Sequence, residues 1–192
     1  KAADAASRDR DADRAHLLAL LDRYGASHPS PGATHYYGQV GRYWLKWESH
    51  TEFVTYTAFE DGVSDRAFDP VEFEVFPDDW LGAAPGVRLT SALVRVAVEV
   101  DEDRISQALE DWFVSESLAV SYVLDGTAVT AADFRIDRAG HMRLAVFACP
   151  DTGHRRLGRI VQRMCEIETY KSMSMLGLAR ARDIGGRMTE ID

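Results

Sequence analysis

The stretch that most restricts how this chain can fold runs from Arg42 to Phe59, Arg-Tyr-Trp-Leu-Lys-Trp-Glu-Ser-His-Thr-Glu-Phe-Val-Thr-Tyr-Thr-Ala-Phe. Aromatic and β-branched side chains suit a pleated, half-buried surface, so the segment predicts strand. Tyr43, Leu45 and Trp47 share one face, whereas beyond His50 both faces become apolar or hydroxylated. A strand normally holds about 5–6 residues, so a bulge or bend is expected near Glu48-Ser49-His50. Because side chains alternate along a strand, Glu48, His50 and Glu52 fall on one face. An imidazole between two carboxylates is a candidate acid/base group or metal ligand set.

With 192 residues, 46% hydrophobic and 10% aromatic, the chain can build one buried core, and a single soluble domain over 1–192 is expected. Its 31 acidic against 22 basic residues give a net charge of −9, which repels phosphate backbones and argues against nucleic acid as a partner. Cys149 and Cys165 lack the spacing of a zinc site or disulfide framework and read as plain thiols. No run of about 18 apolar residues is present to span a bilayer. Lys1–Ala6 lack the apolar core of a signal peptide.

The remaining pattern predicts an α+β fold. Ala15, Leu17, Leu18, Leu20 and Leu21 recur at helical spacing before Gly25, and proline and glycine then mark a loop over 28–34. Asp61 to Gly86 reads as a long excursion with one helical turn. Leu89 to Val100 predicts a strand, and Asp101 or Asp103 caps a helix to Phe113. Leu118–Leu124, Thr127–Ile136 and Met142–Ala148 predict a meander, with Asp125-Gly126 as a hairpin turn. A long helix follows from His154 to Ala179 or beyond. The expected assembly is a mainly antiparallel sheet with helices packed on one face.

Two further groups are candidates. On the long helix, Leu157, Ile160, Val161, Met164, Lys171 and Met175 share one stripe, apolar but for the lysine, with Glu168 near its centre. A carboxylate there needs a cationic or hydrogen-bonding partner, and Lys171, Arg135 and His50 are the candidates. Asp133, Arg135 and Asp137 alternate against Phe134 and Ile136 and predict a solvent-facing side. No nucleophile elbow, phosphate loop, dinucleotide fingerprint or zinc-protease helix occurs, and no metal or cofactor is expected.

Trp47-Glu48-Ser49-His50-Thr51-Glu52-Phe53-Val54-Thr55-Tyr56-Thr57, Asp133-Phe134-Arg135-Ile136-Asp137, and Gly158-Arg159-Ile160-Val161-Gln162-Arg163-Met164-Cys165-Glu166-Ile167-Glu168-Thr169-Tyr170 together resemble the bacterial domain of unknown function 3422 family. The resemblance spans roughly Ala15 to Arg182 and departs from the family pattern at Lys171, where arginine is expected. It implies a larger parent protein, anchored in the bacterial inner membrane by a C-terminal transmembrane hairpin, whose long helix continues as a coiled coil on the cytoplasmic side. It implies no activity.

The function expected from this reading is non-catalytic: contact with a protein partner, or self-association, through the long helix, with Met173, Met175 and Leu176 suited to a helical interface. The rival reading is a hydrolase or metal-dependent enzyme using His50 with Glu48, Glu52 and Glu168, with Asp133, Arg135 and Lys171 as candidate binding residues. A third is a small-ligand sensor with its pocket under the 61–86 excursion.

Overall fold

A computed structural model describes residues 9–189, so the Lys1–Ala6 segment lies outside the described residues. The chain divides into two compact units, residues 1–62 with 70–87, and residues 63–69 with 88–192. The α+β class holds, and the strands form two sheets, one of three strands and one of four.

In the first unit, Asp9 caps helix α1 (Arg10–Arg23) by accepting from the amides of Asp11 and Ala12. Three antiparallel strands follow: β1 (His35–Val40), β2 (Tyr43–Ser49) and β3 (Val54–Phe59). Tyr43, Leu45 and Trp47 are buried on one face of β2, as the alternation predicts. They pack with Leu17, Leu20 and Leu21 of α1 and with Val75, Phe76 and Trp80 of the excursion. Trp80 lies in the short helix α2 (Asp78–Gly82), donates to the His16 carbonyl at 2.9 Å and stacks on the His16 ring at 4.0 Å. The part of the excursion from residue 70 onward therefore fills the core of this unit. The ring of Tyr36 lies over Gly38, where a Cβ would come within 2.3 Å of the phenol oxygen, so any larger residue would have to displace that ring.

The bulge or bend expected near Glu48-Ser49-His50 is a full reversal of the chain, so 42–59 forms a hairpin. The chain reverses at His50–Phe53, where the His50 amide donates to the Phe53 carbonyl at 2.9 Å, and Ser49 pairs with Val54. The change of pattern at His50 marks a turn between two strands of ordinary length.

The second unit is built on a sheet in the order β4-β7-β6-β5. β5 (Ala119–Val123), β6 (Ala128–Ile136) and β7 (Met142–Ala148) form the predicted antiparallel meander. The β5–β6 turn places Leu124 and Asp125 at positive φ, the twist a tight hairpin requires. β4 (Ala92–Val98) joins parallel to β7, because the crossover helix α3 (Glu102–Trp112) returns the chain to the far edge. Asp101 caps α3.

The alternation along β7 separates two layers. Met142, Leu144, Val146 and Ala148 meet helix α4 (His154–Thr189) through Leu157, Ile160, Val161 and Met164. On the opposite face Phe147 stacks on Trp112 at the end of α3, at 5.6 Å. Helices thus flank both faces of this sheet, because β7 is apolar on both sides from Leu144 to Ala148 and each side needs cover.

Candidate functional site

The Glu48, His50 and Glu52 row does not form. Glu48 stays on β2 and pairs with Lys46 at 2.8 Å, both side chains partly solvated. His50 sits where the turn begins, its Nε2 3.3 Å from the Thr55 hydroxyl and its ring 4.4 Å from Phe53. Glu52 is exposed at the tip of the turn. The alternation that would have lined them up stops at Ser49, where the strand ends.

Asp133 behaves oppositely to its predicted solvent-facing role. It is 1% exposed, and its carboxylate accepts from the amides of Val114 and Arg135, both at 3.1 Å, and from the Arg143 guanidinium at 3.0 Å. The register explains the inversion. Ala132 pairs with Leu144 and Ile136 with Met142, so three β6 residues stand opposite Arg143 alone. This bulge breaks the period of two, turns Asp133 inward and leaves Phe134 and Ile136 55% and 70% exposed. Phe134 has φ +55, a conformation that costs a bulky L-residue about 1–2 kcal/mol. Three hydrogen bonds on the buried Asp133 carboxylate hold the loop in that shape. Arg135 points away and donates from Nε to Ser117 at 2.8 Å, while Asp137 accepts from the amides of Ala139 and His141 to shape the next turn.

Glu168 is buried on α4, 6% exposed, and finds one of its three candidate partners. Lys171 pairs with it at 2.5 Å, and the hydroxyls of Thr90 and Ser172 donate at 2.9 and 3.1 Å. Lys171 is 41% exposed at its side chain and also lies over the Phe134 ring at 5.5 Å, so helix, bulge and the start of β4 meet here. Arg135 and His50 are engaged elsewhere, with Ser117 and Thr55. The arrangement satisfies a buried carboxylate and pins α4 to the sheet.

Sequence reasoning missed a neighbouring pair. His141 is 4% exposed, and its Nδ1 lies 2.7 Å from the Ser91 hydroxyl. Burial lowers its pKa, opposed by the Asp137 carboxylate and assisted by the Arg88 charge. A neutral imidazole beside a serine has the makings of a nucleophile and base, but a ring this deeply covered cannot meet a solute. The only signal in the sequence is a histidine between the turn glycine and an apolar strand. Arg143 and Thr90, which complete the other two clusters, carry no signal, since each depends on the bulge or on cross-chain packing.

Among the described residues, no three or more His, Cys, Asp or Glu side chains converge as a metal site. Cys149 and Cys165 are both half-buried and are not joined in a disulfide. Outside these clusters, the conspicuous feature is α4 itself. Ile167, Tyr170, Met175, Leu176 and Leu178 are between 42% and 64% exposed, and every residue from Ser174 to Leu178 is exposed. No helix among the described residues is long and apolar enough to cross a membrane.

Comparison with known proteins returns one family model, described as a protein of unknown function (DUF3422), which matches residues 2–192. No curated protein and no solved structure matches. That model covers the Asp133 bulge, the Glu168–Lys171 junction and the exposed half of α4 alike, and the chain belongs to this family.

Proposed function

We propose that this chain is a non-catalytic interaction domain that self-associates through α4. The observation that carries the reading is the exposed apolar half of that helix. Leu157 to Met164 are spent on the sheet, yet the helix continues to Thr189 with Ile167, Tyr170, Met175, Leu176 and Leu178 facing water. Helices draw most of their stability from tertiary packing, and glycine costs about 1 kcal/mol in a helix interior. Gly177, Gly185 and Gly186 all lie in this half, so a partner helix is what supports its length. Ile167, Tyr170, Ser174 and Leu178 follow three- and four-residue steps, the spacing of a helix–helix seam.

In this reading the parent protein is membrane-anchored and the domain stands on the cytoplasmic face of the bacterial inner membrane, with α4 leading toward the anchor. That part rests on the family resemblance and not on the fold. Sedimentation velocity on the full chain tests the association. Wild-type protein should gain mass with concentration, and Ile167→Glu with Leu178→Glu should reduce it. A monomer at every concentration, or an unchanged mass distribution in the double variant, contradicts the proposal.

One observation favours a second reading, a ligand sensor, with its cleft away from the 61–86 excursion under which a pocket was expected. A cleft of about 260 Å³ in the second unit is lined by Ile105, Leu109, Val120, Tyr122, Val129 and Phe147, with Glu99 and Glu102 also in its lining. It is small for a drug-sized ligand and suits a short alkyl chain carrying a cationic head. A thermal-shift screen of short alkylamines should raise Tm if that reading holds, and no shift at millimolar ligand counts against it.

A further inference from the structure

β5 is the edge of the second sheet, and Ala119, Val120, Ser121 and Tyr122 are all exposed. Sheet edges are normally guarded by charges, prolines, bulges or covering chain. Ala-Val-Ser-Tyr-Val contains none of these guarding residues, and the bulge on β6 lies beyond Ala132, which already pairs with the first residue of β5.

We propose that β5 pairs antiparallel with β5 of a second copy, about a two-fold axis through Ser121, joining two four-stranded sheets into one. The strand is self-complementary in this register. Val120 stands opposite Tyr122 of the second copy, a β-branched and aromatic cross-strand pair made twice, and Ala119 stands opposite Val123. Tyr122 is already oriented, since its phenol donates to Glu102 at 3.1 Å.

Charge supplies a second argument. Ser117 holds Arg135 at the start of the β5 chain, through Nε at 2.8 Å, and Asp125 lies in the turn at its other end. A two-fold axis at Ser121 brings the turn that ends at Ser117, before β5, beside the β5–β6 turn of the second copy, so Arg135 and Asp125 lie at the same end of the contact, once at each end. Neither residue is in an ion pair within the described residues. For a chain of net charge −9, paired opposite charges at the seam offset part of the general repulsion.

The test uses the full chain, with residue-resolved amide exchange at low and high protein concentration. In wild type, alternate β5 amides should slow by about tenfold or more on concentration, and Ser121→Lys should abolish that slowing while β6 and β7 keep their protection. Asp125→Arg and Arg135→Asp should each weaken dimerisation about fivefold, and the double swap should recover most of the loss. Exchange in β5 that is independent of concentration, or slowing that survives Ser121→Lys, overturns the pairing. A double swap no better than either single overturns the register. The α4 variant Ile167→Glu with Leu178→Glu should leave β5 protection intact, so this contact and the helical one fail separately.

Discussion

The two units bury different things. The first is stabilised by rings and aliphatics: Trp47, Trp80, Phe76 and Tyr36 close over three α1 leucines, and Asp13 is its one buried polar residue among those described. The second buries Asp133, His141, Thr152 and Glu168 beside its apolar layers. A hydrophobic core tolerates small shifts in position, whereas a buried carboxylate requires each of its partners in place. The difference teaches where geometry is specified. The first unit needs volume to be filled, while the second fixes a bulge, a helix position and thereby the surfaces it leaves open.

That contrast can be broken by substitution. The largest effect is expected for Trp47→Ala, which empties a site 2% exposed and should cost about 3–5 kcal/mol in chemical denaturation. Asp133→Ala should follow at about 3 kcal/mol, because it leaves the Arg143 charge partly buried and two amides unanswered. Amide exchange should assign the first loss to β1–β3 and the second to β6 and β7. An Asp133→Ala variant as stable as wild type would remove the buried carboxylate from the account.

A smaller effect isolates the bulge itself. With the ring removed in both cases, Phe134→Gly should be about 1 kcal/mol more stable than Phe134→Ala, because φ +55 suits glycine. The ordinary strand preference, Ala over Gly, would show that the bulge is not held in this shape.

The subtlest comparison is with pH. Burial lowers the pKa of both His16 and His141, against opposing aspartates. The unfolded state, with an ordinary histidine value of about 6.5, then binds more protons than the folded one as pH falls. Stability is therefore fully present above about pH 6.5 and declines as pH drops toward the lowered folded values. His141→Gln should flatten this decline in the second unit and leave it in the first, as read by exchange across a pH series. Equal slopes before and after substitution would argue against a buried neutral imidazole.

Much of this fold is legible in the residues. Local signals located α1, the Asp101 cap, the Asp125-Gly126 turn and α4, because helical spacing, caps and turn residues act within a few positions of one another. The Tyr43, Leu45, Trp47 face was legible for the same reason. The hairpin at His50–Phe53 was harder, since its turn carries neither glycine nor proline and strand-like residues run through it. The bulge was opaque: Asp133, Phe134 and Arg135 alternate like a solvated strand, and only pairing with β7 shows that three residues face one. For the candidate site, the need of Glu168 for a partner was readable from its place on an apolar stripe, and Lys171 was among the candidates. Thr90 and Arg143 were not, because their contacts come from chain that is distant or displaced by the bulge.

Whether this chain self-associates is decided by what α4 does beyond Ser172. Amide exchange over Ser174–Leu178, measured on the full chain at low and high concentration, is the direct test. Self-association through this face predicts slowing by about tenfold or more with concentration, equivalent to about 1.4 kcal/mol, and its loss in Ile167→Glu with Leu178→Glu. Exchange that stays fast and equal at both concentrations would contradict it.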